Sequence, residues 1–167
     1  MSLRIGGFAA ILGAALWALA GLLSLGLIAD SSEVGPALLM TGMIVLLIAL
    51  AGLSAFQAHA HPVAIGLAFA VTGIGTLVTF LGYLLGVWNL WILGILAVML
   101  GSGLFALVTF RTRALPRVGP ILMGIGIGTV FVNPIMAFGI SAFALGWFVL
   151  GIQSLRLVRP ALGVPTG

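Results

Sequence analysis

VGPILMGIGIGTVFVNPIMAFGISAFALGWFVLGIQSLRLV, residues 118–158, is the stretch that decides how this chain folds. As one helix it would be about 60 Å long, twice the roughly 30 Å of a bilayer's hydrocarbon core. It must therefore turn back on itself. Asn133-Pro134 is the natural breaking point, because proline lacks the amide hydrogen and its ring clashes with the preceding helical turn. The break predicts a short fifth helix over 117–132 and a sixth over 135–155. The fifth is marginal in length, so a re-entrant hairpin, giving five crossings, is the structural alternative.

The same ruler of about 20 helical residues per crossing divides the rest of the chain. A first span is expected over 5–29, stopped by Asp30-Ser31-Ser32-Glu33. A second covers 36–56 and is stopped by Gln57-Ala58-His59-Ala60-His61. Pro62, well suited to a first helical turn, opens a third over 62–87. A short Trp88-Asn89 break then leads to a fourth over 90–110, followed by the most polar stretch, Arg111-Thr112-Arg113-Ala114-Leu115-Pro116-Arg117. The expected fold class is an all-α, polytopic integral membrane bundle of six short transmembrane helices. It forms a single domain, 1–158, with a short flexible tail over 159–167. The apolar part of the first span is too long for a signal peptide, and Leu27-Ile28-Ala29 lacks the small residues of a cleavage site.

Composition agrees. The chain is 63% hydrophobic and 5% charged, with a mean hydropathy of +1.41, whereas soluble domains are roughly 45–50% apolar and 25% charged. All six basic residues are arginines: Arg4, Arg111, Arg113, Arg117, Arg156 and Arg159. With six crossings they all fall on one side and the two acids, Asp30 and Glu33, on the other. The positive-inside rule then places both termini in the cytoplasm. Five crossings would put Arg156 and Arg159 outside. Short loops and the lack of a soluble domain fit a bacterial inner membrane.

What is missing closes off much chemistry. Without cysteine there is no disulfide, thiol nucleophile or thiolate metal site, and without lysine there is neither a Schiff base nor a P-loop. A pI of about 11.7 would point to nucleic acid if the positive charge formed a soluble patch, but here the arginines sit at the ends of apolar runs. The histidines and the acids are expected at opposite membrane faces, so no nucleophile–base–acid set can form and no enzyme activity is expected. No span carries an ionisable residue near its centre, which argues against energy-coupled transport. No cofactor or metal site is expected.

Glycine supplies a pattern of its own. The odd-numbered helices each begin with two glycines seven apart: Gly6 and Gly13, Gly66 and Gly73, Gly119 and Gly126. The third and fifth share Gly-Ile-Gly-Thr, at 73–76 and 126–129. This predicts three tandem helical hairpins pointing the same way, with coincidence among 25 glycines as the rival explanation. Small residues four apart let membrane helices approach closely. Gly6, Ala10, Ala14 and Ala18 form such a strip, and Gly82 with Gly86 and Gly124 with Gly128 form GxxxG pairs. They serve either packing within the bundle or contact with a second copy or a membrane partner.

In this arrangement, with Arg4…Gly6…Gly13 and Arg117…Gly119…Gly126 opening two of the hairpins, the chain resembles the small HdeD-like membrane proteins linked to acid resistance. The second hairpin departs by opening on Pro62. The resemblance covers the whole chain and implies a six-helix, stress-related membrane protein; it carries no functional residues.

Three groups of residues are candidates for more than packing. Thr72, Thr76 and Thr79 share a face of the third helix near mid-membrane, either as a polar lane for a neutral solute or as hydroxyls bonded to carbonyls a turn back. His59 and His61 form either a pH-sensing or ligand pair, or a solvated loop. Arg111, Arg113 and Arg117 would meet lipid headgroups. Tyr83, Trp88 and Trp91 read as an aromatic belt at the opposite face, and Trp17 and Trp147 as deeper packing or lipid-facing residues. Two functions follow. One is a non-enzymatic structural or accessory membrane protein, whose partners are the bilayer, a second copy or a larger complex. The other is a passive channel or transporter for a neutral solute.

Overall fold

The computed structural model describes residues 3–24, 34–57, 61–112, 115–130 and 136–158. They form six α-helices: α1 Leu3–Ser24, α2 Val34–Gln57, α3 Pro62–Leu84, α4 Trp88–Thr112, α5 Val118–Val130 and α6 Met136–Val158. Five are long and apolar enough to cross a membrane, and α5 is a shorter apolar helix. Residues 25–29 of the expected first span, the Asn133-Pro134 break and the 159–167 tail lie outside the described residues.

Consecutive helices pack as antiparallel hairpins: α1 with α2, α3 with α4, and α5 with α6. α1 then closes on α6, and weaker contacts of α2 with α3 and of α4 with α5 join the hairpins. The backbones approach closely because glycines lie at the crossings, as expected where lipid offers no hydrophobic drive and helices associate by van der Waals fit. A Cβ on Gly6 would lie 2.9 Å from the Cα of Gly52, and one on Gly126 would lie 2.7 Å from the carbonyl oxygen of Gly139. In the same way Gly151 faces the Gly7 carbonyl, which brings the first turns of α1 and the last turns of α6 to one end of the bundle.

Two of the three expected glycine pairs, Gly6/Gly13 and Gly119/Gly126, do face their hairpin partners. The third pair does not. Gly66 and Gly73 meet nothing within 4 Å, and α3 instead turns Ala68, Gly75 and Gly82 toward α4. These positions repeat every seven residues as well, but on a different face of the helix. A glycine-rich helix offers several such faces, and the side chains of α4 select among them. Of the GxxxG pairs, the one read at Gly82 and Gly86 differs from expectation. Gly82 packs against the backbone of Leu90 and Trp91, but Gly86 lies beyond the helix at φ +66°, a left-handed conformation that favours glycine. Gly124 and Gly128 face open space on α5.

That left-handed residue moves a boundary. Leu85 caps α3, Gly86 reverses the chain, and Trp88-Asn89 are the first turn of α4 rather than a break before it. At the other end Gln57 is the last residue of α2 and is buried, not part of a loop.

Between the hairpins the interior is filled by rings. Phe105 of α4 stacks on Trp147 of α6 with centroids 5.8 Å apart and planes at 2°, and Trp17 of α1 meets Phe143 at 5.0 Å. All four are fully or almost fully buried, with Leu46, Leu50, Leu53 and Met99 around them. Gly42 makes room for the Trp17 ring, whose Cδ1 would lie 2.5 Å from a Cβ there.

The Phe105–Trp147 stack also sets the register of α4 against α6.

Candidate functional site

Thr72, Thr76 and Thr79 are all buried. Each hydroxyl donates to the carbonyl four residues earlier: Thr72 to Ala68 at 2.8 Å, Thr76 to Thr72 at 2.9 Å, and Thr79 to Gly75 at 2.8 Å. These local bonds satisfy the only hydrogen each hydroxyl has to give. The face they share lies against α4, where Gly101 is set opposite Thr72 and Gly94 opposite Thr79. Two threonines seven apart thus fit against two glycines seven apart on an antiparallel neighbour. The Thr72 and Thr79 hydroxyls lie at the α3–α4 contact.

A second polar contact bridges hairpins at the end of the bundle where α2 and α4 finish. Nε2 of Gln57 donates to Oγ1 of Thr109 at 3.0 Å. The single hydroxyl hydrogen of Thr109 goes either to the Phe105 carbonyl, at 2.9 Å, or to Oε1 of Gln57, at 3.1 Å. Both side chains are buried. Sequence inspection missed this pair, because Gln57 beside His59 and His61 resembles the start of a loop. The available signal was Thr109 on the following hairpin, since a glutamine at a helix end needs a partner if it is buried.

Of the histidines, His61 precedes α3, is exposed and makes no side-chain cap to the helix, while His59 lies outside the described residues. Among the described residues no three His, Cys, Asp or Glu side chains gather into a group that could hold a metal ion.

Arg111 is in the last turn of α4, and the guanidinium of Arg117 sits over the Phe110 ring at 4.8 Å from its centroid. That contact ties the end of α4 to the start of α5. Arg113, between them, lies outside the described residues. Arg156 is in the last turn of α6, and Arg4 is in the first turn of α1, beside the α6 end that Gly7 contacts. All four described arginines therefore occupy one end of the bundle.

The opposite end carries aromatic side chains. Trp88 stacks on Trp91, with centroids 4.7 Å apart and planes at 21°. Together with Pro36, Gly82, Tyr83 and Gly86 they line an open groove of about 490 Å³. Sequence inspection identified these aromatics as a belt but not as a groove, because Pro36 joins them only through the placement of α2.

With this geometry established, comparison with known proteins adds no family: no protein-family model, no curated protein and no solved structure matches the chain. The likeness to the HdeD-like proteins rests on the hairpin arrangement alone.

Proposed function

We propose that this chain is a non-enzymatic, structural or accessory protein of a bacterial inner membrane, acting through helix packing with itself, with lipid or with a membrane partner. The supporting observation is the interior. Trp17, Phe105, Phe143 and Trp147 fill the space between the hairpins, and the threonine hydroxyls are bonded within their own helix. Such a centre suits a solid packed body better than a passage for solute. Its outward faces are apolar. α3 is the least enclosed of the five long helices, with 33% of its most apolar window buried against 44–50% for the others. It presents Leu67, Ile74, Leu77 and Leu81 outward, to lipid or to a partner helix.

Six crossings with both termini cytoplasmic are supported by the arginines at one end and by the meeting of α1 and α6 there. A thirteen-residue α5 is compatible with crossing where the bilayer thins locally or the flanking residues complete the span. Because the chain has no cysteine, single introduced cysteines report topology directly. Ser2→Cys and Gly167→Cys are expected to react with an impermeant maleimide only from the cytoplasmic side, and Asn89→Cys only from the other. Labelling of residues 2 and 167 from opposite sides would establish five crossings.

Transport is tested separately. Proteoliposomes holding the purified protein are expected to pass glycerol and urea no faster than protein-free vesicles, and a Thr72→Val, Thr76→Val variant is expected to behave identically. Flux that the double variant abolishes would overturn the accessory role.

A further inference from the structure

We propose that the aromatic groove at the end of the bundle opposite the arginines is a binding site for the ammonium headgroup of a zwitterionic phospholipid. This rests on the membrane-spanning reading and goes beyond it, because it selects one lipid class at one membrane face.

The groove lies at the level where headgroups begin. α3 and α4, with 23 and 25 residues, are about 35 Å long, so their shared tip clears a hydrocarbon core of about 30 Å. Its walls are aromatic: Tyr83 from the last turn of α3, and Trp88 and Trp91 from the first turn of α4. Trp88 is 66% exposed and Tyr83 42%, so their rings are open to an incoming group. The faces of indole and phenol rings carry negative quadrupole potential and attract ammonium groups, tryptophan most strongly. The rings are held in place, since Trp88 is stacked on Trp91 and the backbone of Trp91 lies against Gly82.

Charge favours a cationic group over an anionic one. The described arginines are all at the far end of the bundle, away from the groove. An anionic headgroup is drawn instead to the arginine end, which gives the molecule opposite lipid preferences at its two faces.

Native mass spectrometry of the protein released from bilayers of equal phosphatidylethanolamine and phosphatidylglycerol tests this. The wild type is expected to retain phosphatidylethanolamine adducts that fall by roughly 2- to 5-fold in Trp88→Ala and in Tyr83→Leu. Phosphatidylglycerol adducts, held at the arginine end, should stay unchanged and serve as the internal reference. Both side chains are substantially exposed, so both variants should fold with wild-type melting temperatures; if one does not, the other carries the test. Phosphatidylethanolamine adducts that persist undiminished in a folded variant overturn the site. A chain recovered from the aqueous phase with no lipid of either class would overturn the membrane reading itself, and the two failures are distinct.

Discussion

Gly75→Val is expected to break the second hairpin, while Gly73→Ala, two residues away on the same helix, is expected to leave the protein at least as stable as the wild type. A Cβ on Gly75 would lie 2.6 Å from the backbone nitrogen of Val98 and 2.8 Å from both the Ala97 Cβ and the Gly94 carbonyl oxygen. All three are backbone or backbone-attached atoms that cannot rotate away, so relief requires the α3 and α4 axes to separate. That separation undoes the fit of Thr72 and Thr79 against Gly101 and Gly94 along the same seam. Overpacking in a dense core costs about 1–3 kcal/mol and occasionally more, and valine at a backbone crossing belongs at the upper end. Gly73 has no neighbour within 4 Å, and alanine there gains the roughly 0.5–1 kcal/mol by which it exceeds glycine in a helix. Thermal unfolding in detergent, followed by tryptophan fluorescence, should place the two variants on opposite sides of the wild type. Equal melting temperatures would contradict the α3 register described above.

Trp147→Ala should be the most damaging single truncation on α6. The side chain is fully buried and stacks on Phe105. In a bilayer the transfer part of the usual penalty is small, because lipid is as apolar as the core. What remains is the cavity and the lost dispersion contact. The expected loss is therefore about 3 kcal/mol, the lower end of the ~3–5 kcal/mol typical of Trp→Ala in cores. Trp88→Ala, on a largely exposed ring, should change stability by no more than ~0.5 kcal/mol. A double-mutant cycle with Phe105→Ala should give a coupling of about 0.5–1.5 kcal/mol for the stacked pair. Coupling near zero would mean that α4 and α6 do not meet through these rings, and the filled interior would lose its central contact.

Which features were legible in the sequence follows from the physics behind each. Span positions could be read because a bilayer imposes a length on every apolar run, and Pro62 and the Arg111-to-Arg117 stretch mark ends by their chemistry. The start of α4 was misplaced by two residues, since a tryptophan and an asparagine look like a break until Gly86 is seen to make the turn. The threonine lane was visible as a periodic face, but its role was not. A threonine at a helix–helix contact and one facing a passage have the same sequence spacing, and only Gly94 and Gly101 opposite distinguish them. The Gln57–Thr109 pair was not legible, because it joins residues on different hairpins.

By itself the sequence determined the helical, apolar character of the chain, the approximate ends of its helices and their grouping into hairpins. These depend on local composition and on a length that the solvent sets. Only the tertiary structure decided which glycine face of α3 meets α4, which rings fill the interior, and that Pro36 joins Tyr83, Trp88 and Trp91 around one groove. The reason is degeneracy. Among lipid tails every face of a glycine- and leucine-rich helix is equally at ease, so hydropathy cannot rank the faces, and steric fit between particular side chains on distant segments makes the choice.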